Sequence, residues 1–485
     1  MTTTWSSRVE GACLVTNTGS RDFLQSLSTR LFVRPCFPEL LALCNTKWTA
    51  GTQGIFLLGT PGIGKSCFLD YALHRCLYDA DRKNKNVLYL HGPRDKAFVF
   101  QHVGGGITVA EHNLSAVLSG SVEIPSDSFD VVFYDPHEST ARTNDVHISF
   151  FAGKNFIVPI SPDKENCKKL RKDTRSKVKL YMGTLLMEEA EDMRASCYPE
   201  VPADLLQTRY SKIGGIARYL FDDPPTVDDG GVDLTVDDVV EIQTAALNDI
   251  AQNPIRIDAG EVAAEFKNLW SLYHLQPAVE NGGTNFRKYT IELVCEDVRA
   301  PIRDKLMDKD VNELWNLYNS TLERHGTLKG IRYEAYAHKK IMVHGVNLAA
   351  TSLTTTGVGR SSKQIIIPAS LPKINLSTND LGAQFQNDVN SARALPTGGY
   401  LLPSNSNFPV VDSLFASPTE TLSLQMKAGR SKPLSGPCAS SIQAAAGGCL
   451  VFVVPDENII IRKLGYSEGA GPTQWRHYRL VLKQP

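Results

Sequence analysis

The chain predicts an α/β fold in more than one domain: a mostly parallel sheet flanked by helices, a helical stretch, and a second α/β domain. Three observations carry this expectation. The apolar run Ile55–Leu58 leads straight into Gly59-x-x-x-x-Gly64-Lys65-Ser66, after which apolar residues recur at helical spacing. Strand and helix patterns alternate from residue 55 to about 160, as a parallel sheet requires. Past residue 400 the pattern changes to short apolar runs of strand length.

With 485 residues, the chain is too long for one ordinary core. It divides into a lead-in over 1–50, an α/β domain over 51–225, a helical middle over 226–320 and a last domain over 321–485. The breaker Asp222-Asp223-Pro224-Pro225, followed by Asp228-Asp229-Gly230-Gly231, marks one edge. Composition is globular, with 42% hydrophobic and 21% charged residues. No apolar run approaches the roughly 18 residues that span a bilayer. The polar start Met1-Thr2-Thr3-Thr4 lacks the apolar core of a signal peptide. The ten cysteines form no Cys-x-x-Cys pair, which fits buried thiols better than disulfides or zinc. From residue 320 onward there are 17 Lys/Arg against 9 Asp/Glu, on a chain of net charge −1. That surplus points either to an anionic partner such as DNA or to a solvated basic surface.

In order, residues 1–20 read as polar and loose, and 23–44 as a helical lead-in. Strands are expected at Ile55–Leu58, Val87–Leu90, Val131–Tyr134 and Phe156–Ile160. The run Lys168–Lys172 with Lys177 and Lys179 reads as a solvated helix face or as a nuclear-import or nucleic-acid-binding segment. Residues 185–221 and 235–320 read as helical, with Trp270, Leu272, Tyr273 and Trp315 in the core. Residues 351–362 read as a loop. Strands then follow at Pro409–Phe415, Thr421–Met426, Leu450–Val454 and Asn458–Ile461.

Gly59, Thr60, Pro61, Gly62, Ile63, Gly64, Lys65, Ser66 and Cys67 make up the Walker A pattern and its exit. Its glycines let backbone N–H groups turn inward around phosphate oxygens, Lys65 reaches the β- and γ-phosphates, and the Ser66 hydroxyl ligates Mg²⁺. A helix starting at Lys65 turns its positive dipole end to the anion. Asp135, ending the apolar run Val131–Tyr134, has the Walker B position and would hold Mg²⁺ with Ser66. Glu138 is placed to polarise an attacking water, Ser161 to sense the γ-phosphate, and Arg218 to reach the phosphates from a following helix.

Near the carboxyl terminus, a hairpin between Pro409–Phe415 and Thr421–Met426 would set Asp412 near Gln425 and Lys427. Alternation places Leu422, Leu424 and Met426 on one strand face and Ser423, Gln425 and Lys427 on the other. An acid, a second oxygen ligand and a lysine two residues later is the layout of a metal-dependent phosphodiesterase of the restriction-endonuclease type. Glu334 is the candidate third oxygen ligand, on a preceding helix. A polar strand face on a plain β domain is the alternative. His338 and His344 show no metal-ligand spacing and read as satisfied polar histidines.

Taken together, Leu31–Leu40, the Walker A loop, Asp135-Pro136, Ser161-Pro162-Asp163, Gly214-Gly215-x-x-Arg218, Phe408-Pro409-x-x-Asp412 and Gln425-x-Lys427 resemble the Crinkler and retrotransposon-hot-spot class. The likeness spans roughly residues 25–460. It implies an AAA-like or STAND-like P-loop NTPase with a helical subdomain, coupled to a restriction-endonuclease-fold nuclease. ATP and Mg²⁺ are the implied cofactors, DNA the implied partner, and a nucleus or cytoplasm the implied compartment, with a host nucleus for secreted members. Lys65, Ser66 and Asp135 then serve the nucleotide; Glu334, Asp412, Gln425 and Lys427 serve the nuclease. The ubiquitin-like header with Leu-x-Leu-Phe-Leu-Ala-Lys that Crinklers carry does not occur in this sequence. Two functions follow as expectations: an NTPase that controls a DNA endonuclease, or an NTP-dependent switch whose carboxyl-terminal domain only binds DNA or protein. Self-association is left open by either.

Overall fold

The computed structural model describes residues 2–4, 7–10, 13–16, 30–78, 85–136, 148–160, 170, 172, 174, 176–221, 236–252, 271–280, 282–321, 325–354, 357–376, 383–403, 412–426, 449–455 and 476–482. It has two compact units, one of Met1–Gln243 with Arg256–Thr290, the other of Thr244–Ile255 with Ile291–Pro485.

In the first unit the strands are β1 (Thr2–Thr4), β2 (Ser7–Glu10), β3 (Cys13–Thr16), β4 (Arg30–Phe32), β5 (Gly54–Leu58), β6 (Val87–His91), β7 (Lys96–Val103), β8 (Gly106–Asn113), β9 (Val131–Asp135), β10 (Asn155–Ile160) and β11 (Lys177–Tyr181). Interleaved with them are α1 (Cys36–Thr49), α2 (Lys65–Tyr78) and α3 (Leu114–Leu118), followed by α4 (Met187–Cys197), α5 (Ala203–Ile213) and α6 (Ala217–Phe221). The sheet order is β1-β8-β7-β6-β9-β10-β5-β11. From β6 to β11 every pairing is parallel, whereas β7, β8 and β1 add an antiparallel edge.

The central strands are buried from end to end, which is why they read as continuous apolar runs rather than alternating ones. Helix α2 turns Phe68, Leu69, Ala72 and Cys76 into the core against β5 and α1, where Phe37 meets Phe68 edge to face. Three expectations fail here, the first being the helical lead-in over 23–44, where Arg30–Phe32 form strand β4 and helix starts only at Cys36. Thr2–Thr4 form an edge strand on β8 rather than a loose start, because an open sheet edge pairs through backbone groups whatever the side chains. The stretch through Lys177 and Lys179 is strand β11 beside β5, with Leu180 and Tyr181 buried.

Helix α7 (Val236–Gln252) is followed by the hairpin β12 (Tyr273–Glu280) and β13 (Gly283–Leu293), where helix was expected. The Tyr, Phe, Thr and Ile content of 284–291 suits a pleated surface. Leu272 and Tyr273 are buried, as expected of core residues; Trp270 lies outside the described residues.

The second unit contains α8 (Arg299–Leu306), α9 (Val311–Ser320) and α10 (Gly326–His344), then β14 (Val346–Thr354), β15 (Gly357–Ile367), β16 (Lys373–Leu376), α11 (Ala383–Ala394), β17 (Gly399–Pro403), β18 (Ser413–Ala416), β19 (Thr421–Met426), β20 (Cys449–Val454) and β21 (Arg476–Val481). Its sheet runs β15-β14-β21-β20-β19-β18-β17-β16. Strands β17, β18 and β19 form an antiparallel meander, and β20 returns parallel to β19. Residues 351–362, read as a loop, lie mostly in the β14–β15 hairpin; their Thr and Val content suits strands. The expected strand Asn458–Ile461 lies outside the described residues.

Candidate functional site

The loop 59–64 joins the carboxyl end of β5 to the first turn of α2, which begins at Lys65. Gly62 and Gly64 have φ of +77° and +91°, a region that L side chains rarely adopt. Gly59 is held by close approach: a Cβ there would lie 2.6 Å from the Met182 carbonyl oxygen. Lys65 Nζ donates to the carbonyls of Gly59 and Thr60, each at 2.9 Å. The backbone N–H of Arg218, in α6, donates to Gly62 O at 3.1 Å.

Strand β10 separates β5 from β9, yet all three run parallel and end at one edge. Asp135 therefore stands beside the loop, and Ser66 Oγ donates to its Oδ1 at 3.0 Å. Two oxygen groups, one anionic and buried, suit a hard cation. Burial pushes Lys65 down to about 7; nearby Arg218 adds to the shift, and Asp135 opposes it. Burial pushes the Cys67 thiol up to about 12, helped by Asp70 and Asp135, so Cys67 is an uncharged packing group. Glu138 and Ser161 lie outside the described residues.

In the second unit the β18–β19 register pairs Ser413 with Leu424. Continued by one residue, it sets Asp412 opposite Gln425. Asp412 N donates to Leu424 O at 3.0 Å, and Met426 N donates to Asp412 Oδ2 at 2.5 Å. Gln425 is 6% exposed, and its Oε1 accepts no hydrogen bond among the described residues. Both faces of β19 are buried, so Ser423 and Gln425 are not a solvated strand face. Lys427 lies outside the described residues.

Glu334 projects from α10 and is claimed by two cations of α8: Arg299 at 3.3 Å and Arg303 at 3.4 Å. Burial alone would raise its carboxyl, but the His338 ring, Arg303 and Arg299 outweigh that and hold it below the usual carboxylate range. Arg303 also donates to Pro403 O at 2.7 Å, tying α8 to the end of β17. His338 Nδ1 lies 2.7 Å from the Tyr400 hydroxyl, which lies 2.8 Å from Ser413 Oγ. Burial raises Tyr400, against the opposing pull of the Ser413 hydrogen bond and of Arg303, with Asp412 and Glu334 adding small upward contributions. Sequence reasoning missed Arg299, Arg303 and Tyr400. The only available signal was the i, i+4 spacing of the arginines, which many helices share.

Among the described residues no three His, Cys, Asp or Glu side chains converge as a metal-ligand group. No described helix is long and apolar enough to cross a membrane. No protein-family model matches the chain, and no curated protein matches it in sequence.

Proposed function

We propose that the first unit is a P-loop NTPase of AAA-like or STAND-like type that binds ATP with Mg²⁺. The observation that carries this reading is the Ser66–Asp135 hydrogen bond, which brings the last residue of the loop motif onto the acid ending a strand two places away. The loop N–H groups and the α2 amino end hold the phosphates, and Lys65 leaves the Gly59 and Thr60 carbonyls to reach them. Arg218, in the first turn of α6, adds positive charge beside the loop. Mg²⁺ held by Ser66 and Asp135 would offset charge on the β- and γ-phosphates. Titration of the full chain with ATP and Mg²⁺ tests the reading; equal binding by wild type and Lys65→Ala would refute it.

For the second unit we propose phosphodiester hydrolysis on DNA. Two features favour it: the Asp412–Gln425 juxtaposition at one end of the hairpin, and the unpartnered Gln425 Oε1 directed at no described donor. These two oxygens would hold Mg²⁺, which activates water and offsets charge on the scissile phosphate. Glu334, with Arg299 and Arg303 on it, orders the helix side of this site and would add its charge once an arginine turns to the phosphate. Lys427, two residues past Gln425, keeps its proposed role with the attacking water. The DNA partner rests on the basic surplus past residue 320, and nuclear action rests on the Crinkler and retrotransposon-hot-spot resemblance. Plasmid nicking with Mg²⁺ separates the two functions: strand breaks indicate a nuclease, and salt-sensitive retention without breaks indicates the binding-only switch.

A further inference from the structure

Arg34 is a heavily engaged side chain among the described residues of the first unit, and the proposed chemistry leaves it without a role. It lies between β4 and α1, 5% exposed. One guanidinium nitrogen donates to Ile63 O at 3.1 Å and to Gly183 O at 2.8 Å. The other donates to Thr184 O at 2.9 Å and to Glu189 Oε2 at 3.1 Å. Glu189 Oε2 also accepts from Leu186 N at 2.8 Å, closing the first turn of α4. A single fork thus spans the phosphate loop, the segment after β11 and the start of α4.

The contact with Ile63 O has a chemical consequence. A trans peptide is planar, so its C=O and the following N–H point to opposite sides. Holding Ile63 O toward Arg34 therefore turns the Gly64 N–H away from it. Gly64 is at φ +91°, so the next peptide is reoriented in turn. Three other loop carbonyls are also held: Gly59 and Thr60 by Lys65, Gly62 by the Arg218 N–H. Lys65 must let go to reach a phosphate, whereas Arg34 is fixed at four acceptors and stays. Its charge is met by Glu189 at 3.1 Å, so it acts through orientation rather than net attraction.

We propose that Arg34 is a positioning residue for a triphosphate: it pins the Ile63–Gly64 peptide with the N–H turned into the phosphate cradle, and it couples that peptide to α4 through Glu189. This rests on the nucleotide reading of the loop and deepens it. It also gives the Leu31–Leu40 segment a role.

The test compares wild type, Arg34→Met, Arg34→Lys and Lys65→Ala as full chains. ATP affinity is measured against NaCl concentration, and amide hydrogen exchange is followed over residues 59–66 without nucleotide. Arg34→Met is expected to bind ATP about tenfold more weakly with an unchanged salt slope, whereas Lys65→Ala flattens the slope. Arg34→Lys is expected not to rescue, since an ammonium cannot span the fork's acceptors. Exchange over 59–66 should quicken in Arg34→Met while β5 stays protected. Unchanged affinity and unchanged exchange in Arg34→Met would overturn the proposal. If that variant does not fold, Glu189→Gln, which removes one anchor of the fork, should weaken ATP binding at least threefold and quicken exchange at 59–66; no change in either would overturn it. Wild type that binds no ATP refutes the nucleotide reading, and the exchange comparison then decides alone whether Arg34 holds the loop.

Discussion

The two candidate sites are built in opposite ways. In the first unit most of the working parts come from one contiguous loop, joined by Asp135 from β9, which is met by the hydroxyl of Ser66, and by Arg218 from α6. In the second unit Glu334, Asp412 and Gln425 come from a helix and two strands, and Glu334 is bound to two arginines. A loop that holds an anion with backbone N–H groups needs only glycines and a helix start, which are local properties. A site that gathers carboxylates must offset their repulsion and burial, and the cations that do so come from elsewhere in the chain. The first design is visible as a motif; in the second the hairpin pair can be counted from the sequence, but the arginines on Glu334 show only once packed.

That contrast can be broken most sharply at Arg303. Arg303→Ala leaves buried Glu334 with Arg299 and the His338 ring, and we expect a loss of about 3 kcal/mol in denaturant unfolding of the second unit. Arg303→Ala combined with Glu334→Gln should recover part of that loss, because the uncompensated charge is gone. A fully additive double variant would mean that the pair does not interact.

Lys65→Ala should weaken ATP binding about 100-fold, the scale of charge-assisted hydrogen bonds lost to a phosphate. Asp412→Asn should slow plasmid nicking by a similar factor of about 100 while leaving ATP binding intact, since it removes the anionic ligand of the proposed cation. Calorimetry and gel assays on the same preparations check the two together.

A smaller effect separates the sites by pH. In the free protein burial, with Arg218 beside it, pushes Lys65 down to about 7. Bound phosphates would raise that value, so ATP binding takes up a proton. Affinity should therefore fall as pH rises above about 7, by up to about tenfold per pH unit. The same group acts with opposite sign on folding: the unfolded chain holds this proton up to about pH 10.4, so the free first unit gains stability as pH rises from about 7 toward that value. Calorimetry in buffers of different ionisation enthalpy detects the proton. A flat affinity between pH 7 and 9 would contradict the buried setting of Lys65.

The smallest expected change is a gain. Gln425→Glu adds a charge beside Asp412 and should lower the Mg²⁺ midpoint for nicking about tenfold if a cation binds there, because ligand charge strengthens hard-cation binding. A raised midpoint would mean that the neutral amide is the better partner for Asp412.

Much of this protein is legible before any packing is known. The runs Ile55–Leu58 and Val131–Tyr134 are apolar throughout because strands buried on both faces cannot alternate. Gly62 and Gly64 announce a loop with positive φ, and Lys65 marks the start of a helix that does begin there. The Asp412–Gln425 pairing also follows from counting along a hairpin, since side chains alternate with period two.

Packing decided the rest. Thr2–Thr4, the Lys177–Lys179 stretch and residues 351–354 are polar enough to read as exposed, and each became strand because a neighbouring edge offered backbone partners. Arg299, Arg303 and Tyr400 carry no distinctive sequence signature, and Arg34, although inside the Leu31–Leu40 segment, shows no sign there of which groups it binds. The partners described for them lie from 13 residues away, for Ser413 from Tyr400, to 155, for Glu189 from Arg34. Backbone conformation is a local property written in residue type. The partner of a buried charge is a three-dimensional property, settled only when distant segments meet.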